Sequence, residues 1–155
     1  MANVLIGNYT ARLDASGRIK IPEKFREIIE QVYGKDLFVT SLSDDSIKIY
    51  PLSVWLAMTD LTSEGALHLR PDVRKFMLRV NRNGSRHELD SKGRVLISQA
   101  LREKAKLHDE VEVLGLSNHL EVWNKDVLDG TLEEKPLSDE DFESIARLIP
   151  RGKPE

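Results

Sequence analysis

Hydrophobic and polar positions alternate along this chain in a pattern that is laid down twice. Arg18-Ile19-Lys20-Ile21 has the period of a strand buried on one face, and Arg94-Val95-Leu96-Ile97 repeats it. Each stretch follows a Leu-Asp pair and a Gly-containing turn, and each leads into helical spacing. In the first copy Pro22 suits the first helical position, Phe25, Ile28, Ile29 and Val32 share one face, and Gly34 is a stop signal. In the second, Ser98 is the candidate N-cap, with Leu101 and Ala105 facing inward. A hairpin closes each unit, turning near Asp44-Asp45 and near Asn118-His119. The predicted unit is β-turn-β-α-β-β, made twice.

Direct alignment supports the duplication. LDASGRIKIPEKFRE at residues 13–27 matches LDSKGRVLISQALRE at residues 89–103 without gaps, identical at seven of fifteen positions. LFVTSLSDDSIKIYP at residues 37–51 matches VEVLGLSNHLEVWN at residues 111–124. A solenoid takes three or more repeats, so two are expected to complete one another's core in one pseudo-symmetric α+β domain. The chain then divides into a first repeat at 5–51, a helical linker at 52–82, a second repeat at 83–128 and an acidic helix and tail at 129–155. In the linker, Val54, Trp55, Met58 and Leu61 mark one helix, and Val73, Phe76, Met77 and Val80 mark another after Pro71. Ser138 and Asp141 have capping-box spacing, opening a helix with Phe142, Ile145, Ala146 and Ile149 on one side. The final RGKPE is expected to fray.

Composition narrows the class. With 40% hydrophobic and 32% charged residues in 155, the chain reads as a soluble globular protein and not a disordered one. No run approaches the roughly 18 apolar residues of a membrane span. The N-terminus lacks the basic flank and long apolar stretch of a signal peptide, so a cytoplasmic location is expected. The absence of cysteine excludes disulfides and thiolate metal sites. A net charge of −3 argues against a nucleic-acid binder until its distribution is considered. Residues 12–26 carry five basic and two acidic side chains, and residues 86–106 six and three, each +3. Residues 126–143 carry one basic and eight acidic, −7, which masks both basic segments in the total.

The chemistry-bearing candidates are Asp14 with Arg18 and Asp90 with Arg94. A single D-x-x-x-R is most simply a tie within its own hairpin. Its duplication places two equivalent arginines on related turns. Gly17 and Gly93 can take a positive φ without steric cost, and the Asp can bond the turn's own backbone. Ser16, Arg18, Lys20, Lys92 and Arg94, with the turn N–H groups, could meet phosphates, and Arg18 and Arg94 could reach the O6/N7 edge of guanine. The histidines, His68, His87, His108 and His119, are scattered without HxH or HExxH spacing. No GxSxG, phosphate loop or dinucleotide fingerprint occurs. An enzyme, a metal site, a cofactor, a small-molecule substrate and a membrane partner are therefore not expected.

The doubled DxxxR motif, LDASGRIKIPEKFRE with its second copy, and the YPLSVW and VWNKDVL segments resemble the MraZ family over roughly residues 5–128. The resemblance implies tandem SpoVT–AbrB-like, swapped-hairpin units forming one barrel with flanking helices. It implies a ring-shaped homo-oligomer that binds short direct repeats in double-stranded DNA upstream of the division and cell wall gene cluster. Autorepression and association with the nucleoid follow from the same likeness. By position, the DNA-contacting motif falls on Asp14 to Arg18 and Asp90 to Arg94. The family's turn is often DxKGR, which the second copy matches at Lys92 and the first departs from at Ser16. Lys20 and Lys24 add charge where the second copy has Leu96 and Ala100, so the first turn is expected to dominate. The alternative is an antitoxin-like module that binds DNA and wraps a protein partner with its C-terminal segment.

Overall fold

The computed structural model describes residues 4–60 and 69–149; Leu61, His68 and the RGKPE end lie outside the described residues. Two compact units divide the chain, Met1–Lys125 and Asp126–Glu155.

In the first unit the expected elements form in the expected order. The first repeat contains β1 (Leu5–Arg12), β2 (Arg18–Lys20), α1 (Glu23–Ile28), β3 (Asp36–Thr40) and β4 (Ile47–Pro51). Helices α2 (Leu52–Met58) and α3 (Pro71–Asn83) follow. The second repeat contains β5 (Ser85–Glu88), β6 (Arg94–Leu96), α4 (Gln99–Lys104), β7 (Glu110–Ser117) and β8 (Leu120–Trp123). Ser98 caps α4 as its sequence position predicts, its hydroxyl accepting from Leu101 N at 3.3 Å.

The strands of the two repeats interleave. Six of them form one antiparallel sheet in the order β1-β7-β8-β4-β3-β5, so each repeat's first strand pairs with the other repeat's hairpin. Exchanging every strand for its repeat counterpart and reversing the list leaves that order unchanged. The expected closed barrel is not formed. The sheet is open, with β1 and β5 at its edges, because β2 and β6 pair with each other and do not bridge those edges.

One core lies beneath this arrangement. It gathers Ile19, Ile21, Phe25 and Ile29 from the first repeat with Val95, Ile97, Leu101 and Ala105 from the second. Three-residue strands are marginal by themselves. Burying a Val or Ile side chain stabilises by about 1.5–3 kcal/mol, and Ile19, Ile21, Val95 and Ile97 are at most 1% exposed. Burial of that inner face is what holds the β2–β6 ribbon rigidly to the body. A second cluster joins Phe38, Tyr50, Trp55 and Val80, where α2 and α3 meet the sheet.

The expected inward faces differ from the structure in two places. After α1 the chain makes one π turn over Ile29–Tyr33, closed by Gly34 N donating to Ile29 O at 2.8 Å. The wider i→i+5 turn carries Val32 off the inward stripe and leaves it 44% exposed. In α3 Val80 is buried, whereas Phe76 stays 42% exposed.

The second unit contains α6 (Asp139–Leu148), preceded by α5 (Lys125–Glu134), which begins at the boundary. The expected capping box is present, with Asp141 N donating to Ser138 Oγ at 3.1 Å and Ser138 N donating to Asp141 Oδ2 at 2.9 Å. Phe142, Ile145 and Ile149 are exposed.

Candidate nucleic-acid interface

Each Leu-Asp-x-x-Gly-Arg string folds into the same tight turn for the same reasons. In the first, Asp14 Oδ1 accepts from Ser16 N at 2.9 Å and Arg18 N at 3.0 Å, while Gly17 N donates to Asp14 O at 3.0 Å. In the second, Asp90 Oδ1 accepts from Lys92 N and Arg94 N, both at 2.9 Å, and Gly93 N donates to Asp90 O at 2.9 Å. Closing either turn requires φ of +86° at Gly17 or +73° at Gly93, a region that favours glycine. The carboxylate thus satisfies turn donors that would otherwise need water, and the arginine is left to do something else.

What the arginines do differs. Arg18 Nη1 donates to Ser16 Oγ at 3.0 Å and makes no ion pair among the described residues. Arg94 folds back, with Nε donating to Asp90 Oδ2 at 2.9 Å and Nη1 reaching Asp14 Oδ2 of the other turn at 3.4 Å. Both carboxyls sit below the usual carboxylate range. For Asp14 the Ser16 hydroxyl is the largest cause, and for Asp90 it is the Arg94 main-chain N–H. Arg18 also reaches a third element: burial lowers the pKa of His87 on β5, and the Arg18 charge lowers it further.

Between the turns runs the ribbon. Its register pairs Arg18 with Leu96, Ile19 with Val95 and Lys20 with Arg94. Strand alternation therefore puts Arg18, Lys20 and Arg94 on the outer face, opposite the buried isoleucines and valine. Like charges directly across a ladder destabilise it, so Lys20 facing Arg94 is a local cost that the core beneath offsets. Ser16 and Lys92 are exposed at the turn tips, and Gly17 and Gly93 are buried. Lys24, on α1, lines a groove with Val4, Ile6, Tyr9 and Phe25. The structure thus brings Ser16, Arg18, Lys20, Lys92 and Arg94 to the turns and ribbon, with Lys24 placed on that groove.

Main-chain bonds tie the turns across the repeats. Ile97 N donates to Gly17 O and Ile21 N to Gly93 O, both at 2.9 Å. Two arginines that the sequence reading passed over also cross: Arg102 of α4 lies against Gly17, and Arg26 of α1 lies against Gly93. The signal was available, since Arg26 and Arg102 are among the seven identities between the copies.

An antiparallel sheet with a cation-faced ribbon between duplicated Asp-Arg turns defines a small α+β protein that gathers guanidinium and ammonium groups on one face. The family model described as "MraZ protein, putative antitoxin-like" matches residues 82–147. A protein named transcriptional regulator MraZ from Acidobacterium capsulatum is 36% identical over 92% of this chain and 97% of its own length. Proteins of the same name from Syntrophobacter fumaroxidans and Finegoldia magna are 33% and 31% identical, over 92% and 90% of this chain and 92% and 94% of their own lengths. The chain belongs to the MraZ family.

Proposed function

We propose that the protein is a sequence-specific DNA-binding transcriptional regulator whose two turns and intervening ribbon face the duplex. The observation that carries this reading is the display of Arg18, Lys20 and Arg94 on one face of a ribbon whose other face is anchored in the core. Backbone donors and lysines position such a protein on phosphates, and an arginine can discriminate a guanine edge. Its relatives' name, transcriptional regulator, supports the reading. The family likeness extends it to a ring-shaped homo-oligomer on short direct repeats, repressing its own operon in the division and cell wall cluster on the nucleoid. A ring would multiply weak contacts through effective concentration, which is how a chain of net charge −3 could bind DNA.

The test is a gel-shift titration on the DNA upstream of the chain's own gene at several salt concentrations. Arg18→Ala should weaken binding and lower the slope of log affinity against log salt by about 0.9 if a phosphate contact is lost. Binding no tighter than to random DNA would sink the reading. The antitoxin-like alternative draws on the family description and on the exposed stripe of Phe142, Ile145 and Ile149. Truncation after Lys135, followed by size-exclusion chromatography, separates the two. Loss of a large assembly makes the stripe a contact between copies, and an unchanged assembly leaves it to another partner.

A further inference from the structure

Arg26 and Arg102 occupy the same position in the two copies, yet neither serves its own repeat's turn. Arg102 belongs to the second repeat. Its guanidinium lies so close beneath Gly17 of the first that a Cβ there would stand 3.0 Å from Cζ and Nη2 and 3.1 Å from Nε. Arg26 belongs to the first repeat. A Cβ at Gly93 of the second would stand 2.7 Å from its Cδ and 2.8 Å from its Nε, and its Nη2 donates to Ser91 O at 3.2 Å.

Each arginine is anchored at its own end before it crosses. Arg102 Nε donates to Ile97 O at 3.0 Å, and Arg26 Nε donates to Glu30 Oε1 at 2.9 Å. The side chain of Arg26 is only 22% exposed. Arg26, bonded to Glu30 at its own end and to Ser91 across the repeats, and Arg102, bonded to Ile97 and packed under Gly17, behave as packing struts more than as solvated charges. The absence of a side chain at Gly17 and Gly93 thus has a second cause besides φ, since the guanidinium fills the space a Cβ would need.

We propose that Arg102 is the positioning residue of the first turn and Arg26 that of the second, so that each turn's DNA contact is set by the helix of the other repeat. This rests on the DNA-binding reading above. The strut removes slack beneath the turn. Arg18 then meets the duplex already oriented, and less ordering has to occur on binding.

Two arms test the proposal. In the first, the affinity for the upstream duplex is measured by fluorescence anisotropy for Arg102→Ala, Arg18→Ala, Arg94→Ala and their pairs. Arg102→Ala is expected to weaken binding roughly tenfold while leaving the salt slope intact, because Arg102 itself touches no phosphate. In an Arg18→Ala background the same change should cost less than about twofold, and in an Arg94→Ala background close to its full effect. Additive losses with Arg18, a salt slope lowered by one phosphate, or wild-type binding by Arg102→Ala would each overturn the proposal. Arg102→Gln serves the same comparisons if the alanine chain fails to fold.

The second arm needs no DNA, so it separates failure of the strut from failure of the DNA-binding reading. Hydrogen–deuterium exchange should quicken in the peptide covering residues 13–21 for Arg102→Ala and in that covering residues 89–97 for Arg26→Ala. Quickening confined to the substituted residue's own repeat would overturn the cross-repeat assignment, whatever the DNA result.

Discussion

The first and second turns share a backbone and differ at two side chains, Ala15 against Ser91 and Ser16 against Lys92. In each, an aspartate accepts two main-chain N–H groups, a glycine at positive φ closes the loop, and an arginine begins a short strand. The third position is serine in one and lysine in the other. The Ser16 hydroxyl donates to Asp14 Oδ1 at 2.6 Å and accepts from Arg18 at 3.0 Å, so it leads Arg18 out over the turn. Lys92 has no acceptor to offer and carries a like charge. Arg94 turns instead to Asp90, and onward to the oxygen of Asp14 that Ser16 leaves open. Duplication copied the geometry, and the difference between Ser16 and Lys92 divided the work. The second arginine braces both turns, while the first has no carboxylate among the described residues to hold it.

The sharpest way to break this contrast is at the arginines. Arg18→Ala should reduce affinity for the upstream DNA by roughly tenfold to a hundredfold, the range of one lost guanidinium contact to a base edge. Arg94→Ala should cost less, since in the free protein Arg94 is already committed to two carboxylates. A gel-shift series at fixed salt decides the order. If Arg94→Ala is the more damaging, the division of labour is reversed and the bracing contacts must be exchanged for DNA on binding.

A second comparison concerns what the turns have in common. Gly17→Ala and Gly93→Ala both force a Cβ into a region of positive φ and against a guanidinium. Each should lose about 1–2 kcal/mol of stability in urea titration. The positive φ is common to both, and the closer approach at Gly93, 2.7 Å to Arg26 Cδ against 3.0 Å to Arg102 Cζ at Gly17, should make the Gly93 loss somewhat the larger. A large loss at one glycine and none at the other would mean that the shared backbone does not carry the shared cost.

How much of this was legible depended on how local the cause is. Asp14, Gly17 and Arg18 bond to one another within five residues, so the string itself implied the turn, and the alternation from Arg18 to Ile21 implied a strand with one face buried. The helix caps at Ser98 and Ser138 were local in the same sense. The pairing of β1 with β7 was not, since it depends on a register between segments about a hundred residues apart. For the same reason the bridge from Arg94 to Asp14 and the crossing of Arg26 and Arg102 could not be read from either copy alone. The closed barrel came from the family likeness, and it failed where β2 and β6 pair with each other and leave β1 and β5 at the edges of the sheet.

The smallest expected effect is also the most direct probe of where Arg18 points. His87 on β5 has Ser85 Oγ 2.7 Å from its Nε2, and its first-repeat counterpart is Ala11, so it reports on one turn alone. Burial lowers its pKa below the ordinary 6.5, and the charge of Arg18 lowers it further. The unfolded chain then binds more protons than the folded one between the folded and ordinary values. Stability from this group is therefore full above about pH 6.5 and declines as pH falls through that value towards the folded pKa. Arg18→Ala should raise the pKa of His87, seen by NMR titration of its ring protons, and soften the decline in Tm between about pH 6.5 and the folded pKa. Arg94→Ala should leave His87 where it is, because Arg94 is turned towards Asp90 and Asp14. Should His87 respond to Arg94 and not to Arg18, the two arginines would have to exchange the roles that their hydrogen bonds assign.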